Sequence, residues 1–174
     1  VSLPPRHRRH DLTSLWFLIG FGVAFGYVEA AVVYYLRALM RFHRGYHIAH
    51  YKVLLNLDFI TFITTKHSLL THRVGDVEVA RETATIVILA CVAYLAGRDL
   101  RQRLAAFLIT FACWDIMYYV FLRVLDHWPS SLLTKDVFFL IPVTWIGPVL
   151  TPLIISTAML ALGVRLYLRP STRF

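Results

Sequence analysis

Three carboxylates interrupt otherwise apolar runs: Glu29, Glu82 and Asp115. An ionisable group inside an apolar helix is costly unless it is paired or hydrated, so each should turn toward other helices rather than lipid. Acids grouped in this way can share a proton, bind a cation, or hold the polar head of a quinone or lipid. They can also act as a polar knot that fixes helix register, with no ligand at all. Candidate partners lie nearby in sequence. Arg37 follows Glu29 by eight residues, and Arg123 follows Asp115 by eight. Eight residues are two turns and about 80° on an ideal helix, so pairing is expected across helices rather than within one. Arg81 adjoins Glu82, and Tyr118 and Tyr119 follow Asp115 by three and four residues, where they could donate hydrogen bonds near it.

A second group is His43, His47 and His50, spaced i, i+4, i+7. On a helix they would share a face and could take zinc, copper or haem. Gly45 interrupts that helix and no HExxH motif occurs, so a His- and Tyr-rich interfacial loop is the simpler expectation. Cys91 and Cys113 both lie in apolar runs without CxxC spacing, and read as packing residues. No glycine-rich nucleotide loop or GxSxG elbow appears.

The elements that must position these residues follow from composition. Of 174 residues, 58% are hydrophobic and 16% charged, and mean hydropathy is +0.62. Soluble domains run nearer 45–50% apolar and about 25% charged, so the expectation is an all-α integral membrane protein forming a single domain. Four spans are predicted at about 15–36, 79–97, 104–122 and 148–164, each near the ~20 residues a bilayer requires. Span one reads as uncleaved, since its apolar run has no small-x-small cleavage site. It carries Gly22, Gly26 and Ala30 four apart, a stripe that admits a close helix neighbour. The apolar stretches 53–65 and 137–146 are too short to span and are expected to be interfacial or re-entrant on the outer side. Gly147-Pro148 reads as a break, with Pro148 in the first turn of span four.

The net charge is +8. Without a nucleic-acid motif, it reads as an orientation signal rather than a nucleic-acid surface. Arg6, Arg8 and Arg9, then Arg98, Arg101 and Arg103, then Arg165, Arg169 and Arg173 fall on one side of a four-span bundle. The positive-inside rule makes that side cytoplasmic, with both termini.

Several motifs together carry a resemblance: Gly26-Tyr-Val-Glu-Ala-Ala31, Arg81-Glu-Thr-Ala-Thr85, Trp114-Asp-Ile-Met-Tyr-Tyr119, Trp128-Pro-Ser-Ser-Leu-Leu133 and Phe138-Phe-Leu-Ile-Pro-Val-Thr-Trp-Ile-Gly-Pro-Val-Leu-Thr-Pro152. Over most of 15–164 the chain resembles a group of uncharacterised small bacterial multi-span membrane proteins. The resemblance implies a bacterial inner-membrane location and carries no activity. The histidine stretch 43–50 lies outside it. Two functions are expected from different classes. One is a small accessory subunit of a larger membrane complex, such as an electron-transfer or photosynthetic assembly, with the lipid bilayer and other subunits as partners. The other is a stand-alone enzyme or a proton- or ion-handling protein using Glu29, Glu82 and Asp115. Haem, a quinone, a pigment and a metal all stay open as cofactors.

Overall fold

The computed structural model describes residues 5–39, 51–65 and 72–169. Four helices dominate: α1 (Pro5–Leu39), α2 (His72–Ala96), α3 (Leu100–Asp126) and α4 (Leu150–Tyr167). Each contains a stretch long and apolar enough to cross a membrane: Leu12–Leu39, Gly75–Ala96, Leu100–Asp126 and Leu150–Tyr167. Their outward faces are apolar too, with Trp16, Phe17, Leu95, Ile154 and Leu162 all exposed. Helices apolar on every side suit a lipid surround, not water. The helices extend past the predicted limits because polar residues near a helix end can reach beyond the apolar zone.

Helix α3 is the axis of the bundle. In its apolar stretch 44% of residues are buried, against 17–28% in the other three, and α1, α2 and α4 all pack on it. Its start is well determined. Asp99 caps the helix by accepting from the Gln102 N–H at 2.8 Å, and Gln102 Oε1 accepts from the Arg98 N–H at 3.1 Å. This is close to a capping box, which satisfies donors the helix itself leaves open. Gly97 allows the tight α2–α3 turn, since a Cβ there would strike the Arg103 backbone.

The Gly22–Gly26–Ala30 stripe is the seam between α1 and α3. A Cβ on Gly22 would sit 2.5 Å from Cys113 Cβ, and one on Gly26 would sit 2.8 Å from the Trp114 carbonyl oxygen. Ala30 is fully buried. Below this level Leu15, Leu18, Ala93, Ala105, Ala106, Ile109, Cys113 and Tyr167 form an apolar core. Cys113 is buried there, while Cys91 is exposed on α2.

The all-α expectation is corrected by a four-stranded antiparallel sheet. It comprises β1 (Tyr51–Asn56), β2 (Thr61–Thr65), β3 (Lys135–Phe139) and β4 (Thr144–Pro148), in the order β1-β2-β4-β3. The segments expected to be interfacial or re-entrant, 53–65 and 137–146, are therefore hairpin strands. Their apolar runs are short and rich in β-branched and aromatic residues, which suits a strand as well as a helix fragment. In the first hairpin, Asn56 Oδ1 accepts from the Asp58 N–H at 3.0 Å and from Thr61 Oγ1 at 3.1 Å. Asp58 takes a positive φ of 60°. These polar residues build a turn. The two hairpins join through β2 and β4, where Thr61, Phe62 and Ile63 face Ile146, Trp145 and Thr144. Gly147 permits the approach, because a Cβ there would meet the Phe59 carbonyl and the Phe138 ring. Pro148 consequently ends β4 rather than opening α4. Pro152 takes the first helical turn instead, where a missing N–H costs nothing. Since the hairpins connect α1 to α2 and α3 to α4, the sheet caps one end of the bundle.

Candidate functional site

Under the cap, three helices and one strand surround a cavity of about 80 Å³. Helix spacing explains which residues reach it. From α1 come Glu29, Val33, Leu36 and Arg37; from α2 come Glu78, Arg81, Glu82 and Thr85. Both sets fall at intervals of three, four and seven residues, which is one helix face. Helix α3 adds Trp114, Asp115, Tyr118 and Tyr119, and the β3 region adds Asp136, Val137, Phe138, Phe139 and Leu140. The space is large enough for several waters or a small polar group.

Seven of the eight predicted polar residues line this cavity: Glu29, Glu82, Asp115, Arg37, Arg81, Tyr118 and Tyr119. Arg123 does not. Its guanidinium donates to the carbonyl oxygens of His127, at 2.5 Å, and Pro129, at 3.2 Å. It closes the C-terminal end of α3, where helix carbonyls lack partners. His43, His47 and His50 lie outside the described residues. Among the described residues, no group of three His, Cys, Asp or Glu side chains converges as a metal site would require.

The charges are unequally matched. Arg81 pairs with Glu29 across the helices and with Glu78 one turn before it on its own helix. The Glu78 contact is bidentate, with Arg81 Nε and Nη2 at 3.0 and 2.5 Å from the two carboxylate oxygens. Its sequence neighbour Glu82 is not its partner, because adjacent residues on a helix diverge by about 100°. Arg37 pairs with Asp126 of α3 at 2.7 Å and lies over the Trp128 ring at 4.2 Å, a charge pair reinforced by a cation–π contact.

Glu82, Asp115 and Asp136 remain. Among the described residues none of the three contacts a cationic side chain. Each accepts from a neutral donor. Glu82 accepts from the Leu140 N–H at 2.9 Å, Asp115 from the Ser156 hydroxyl at 2.7 Å and Asp136 from the Tyr119 hydroxyl at 2.9 Å. The expected donation from Tyr119 to Asp115 is thus corrected: the Tyr119 hydroxyl reaches the cap, and α4 supplies the donor for Asp115. Glu82 also lies further into its helix than expected, because α2 begins ten residues before it, at His72.

Asp136 sits outside the helices, and burial pushes its carboxyl up to about 6 from an ordinary 3.8. The Tyr119 hydrogen bond, the charge of Arg37 and the Val137 N–H oppose that rise, and Asp115 adds to it. The folded state therefore holds this proton more tightly than the unfolded chain. Stability should fall as pH rises from about 4 to 6, and the loss of about 3 kcal/mol is complete above that window. Asp136→Asn keeps an oxygen for Tyr119 and removes the titration. Its melting midpoint should vary less between pH 4 and 7 than the parent's, and exceed the parent's at pH 7.5. Identical slopes in parent and variant would show that water reaches Asp136.

Glu78 and Asp136 lie one residue outside the predicted segments 79–97 and 137–146, and neither is among the predicted site residues. The i, i+3 spacing of Glu78 and Arg81 was the available signal for the first. For Asp136 and Ser156 there was none, since strand β3 and helix α4 reach the site only through tertiary packing. Trp114 was also missed. It is 6% exposed and lines the cavity. Its indole nitrogen is buried without a hydrogen-bond partner among the described residues, although it is near enough to act on the Glu29 carboxylate.

Beneath Asp115 the bundle closes on the apolar core around Ile109 and Cys113. Thr110, at that level, spends its hydroxyl on the Ala106 and Phe107 carbonyls of its own helix. Compared with known protein families, curated proteins and solved structures, the chain matches none.

Proposed function

We propose that this chain is a multi-pass membrane protein that binds a small polar group, carrying positive charge or protons, in the capped cavity. One observation carries the reading: Glu82, Asp115 and Asp136 border an open space and have only neutral donors. A knot serving only helix register gains nothing from leaving buried carboxylates without a direct ion pair, since each costs free energy. A bound cation or shared protons offset that cost. The apolar floor beneath Asp115 favours a one-sided site over a continuous channel.

The α2–α3 turn carries Arg98, Arg101 and Arg103, and Arg165 and Arg169 end α4 at the same level. By the positive-inside rule this end faces the cytoplasm, so the sheet and cavity face outward. Strand edges cannot face hydrocarbon, which puts the sheet at the membrane surface. The bacterial inner membrane is the location suggested by the motif resemblance.

Gentle purification followed by native mass spectrometry tests the binding reading against the accessory-subunit one. The expected result is a particle of this chain alone carrying a small non-protein ligand. The Glu82→Gln, Asp115→Asn double variant should fold and lose that ligand. Stable co-migration with other membrane subunits, with the variant assembling as well as the parent, would instead make the acids structural.

A further inference from the structure

The cavity walls narrow the chemical class of the ligand. We infer that the site takes a primary ammonium group joined to a nearby oxygen acceptor, the chemistry of an ethanolamine head group. This rests on the binding role just proposed and goes further by naming the class.

Three features point to it. Glu82, Asp115 and Asp136 come from α2, α3 and β3, and each already has a neutral donor. A carboxylate has several acceptor positions, so each can still accept, and an ammonium has N–H donors for whichever of them it reaches. A quaternary ammonium has none. Second, the buried Trp114 indole N–H makes no hydrogen bond among the described residues, with the Glu29 carboxylate nearby but not bonded to it. An ammonium cannot satisfy a donor, whereas an oxygen on the same ligand can. Third, Trp114, Tyr118 and Tyr119 give the acidic pocket an aromatic wall, which suits an organic cation. A bare metal ion would need converging ligands, and the described residues offer no such group. The space of about 80 Å³ suits a ligand of a few heavy atoms.

The position under the cap makes both a lipid head group and a free amino alcohol possible sources. The test uses full-length protein in detergent and in nanodiscs. Thermal midpoints are measured with ethanolamine, ethylamine, choline and sodium at equal ionic strength. Ethanolamine should stabilise more than ethylamine, and both more than choline or sodium. Asp115→Asn should weaken ethanolamine about tenfold or more, the effect of losing a charge-assisted hydrogen bond. Trp114→Phe keeps the ring and removes the N–H, so it should abolish the preference for ethanolamine over ethylamine while both still bind. Stabilisation in phosphatidylethanolamine nanodiscs relative to phosphatidylglycerol ones, lost in Asp115→Asn, identifies the lipid as the source. Stabilisation by free ethanolamine alone identifies the soluble compound. Equal responses to choline or sodium overturn the primary-ammonium class and leave the cation-binding pocket standing. No response to any probe, in a variant-insensitive protein that carries no ligand on native mass spectrometry, overturns both.

Discussion

Replacing Arg81 by methionine should destabilise the folded protein by about 3–5 kcal/mol, the range for removing one partner of a buried ion pair. The guanidinium serves two acids, Glu29 on α1 and Glu78 on α2. Methionine fills a similar volume and leaves both carboxylates without a cation in a largely dry setting. Reversible unfolding in mixed micelles, followed by helix signal, measures the loss. Lysine should recover only part of it, because one ammonium cannot reproduce the bidentate contact with Glu78 while also reaching Glu29. Adding Glu29→Gln and Glu78→Gln to the methionine variant should restore most of the stability, since the uncompensated charges are then gone. A loss below about 1 kcal/mol in the single variant would mean that Arg81 behaves as a solvated surface pair.

The second large effect is expected at the α1–α3 seam. Gly22→Leu drives a Cβ into Cys113 Cβ at 2.5 Å and into the Thr110 carbonyl oxygen at 2.9 Å. Neither has room to retreat, because both lie on the most buried helix. The helices must separate, and the cost should be about 3 kcal/mol or more, at the upper end for overpacking. Gly26→Leu should behave alike, through the Trp114 carbonyl and Met117. It should also displace Glu29, one turn further along α1, and so disturb the cavity. Gly20→Leu is the control. A Cβ there meets nothing within 4 Å, so its effect should stay within about 0.5 kcal/mol. The three variants share one helix and one chemistry, so unfolding midpoints that fail to separate them would sink the seam argument.

These two predictions differ in how far the sequence alone reaches them. The glycine stripe was legible, because small residues four apart have a geometric meaning on any helix. That it meets α3 rather than α2 or α4 was not, because four apolar helices of similar length can be arranged in several ways with similar burial. Arg81 shows the same division. Its sequence neighbour is Glu82, yet the rotation of α2 turns Glu82 toward the Leu140 N–H of the cap and Arg81 toward Glu29 of α1.

Local chemistry by itself determined the four apolar helices and the unusual cost of Glu29, Glu82 and Asp115 within them. Apolar length and the penalty for a charge in an apolar segment depend only on nearby residues. The tertiary structure alone decided the sheet, whose central pairing joins Thr61–Ile63 to Thr144–Ile146 across about 80 residues with no turn to announce it. It also decided that Asp136 and Ser156 complete the acid cluster and that Arg123 leaves it. Each of those outcomes depends on which chain segments meet under the cap, and no periodicity in a single helix records that.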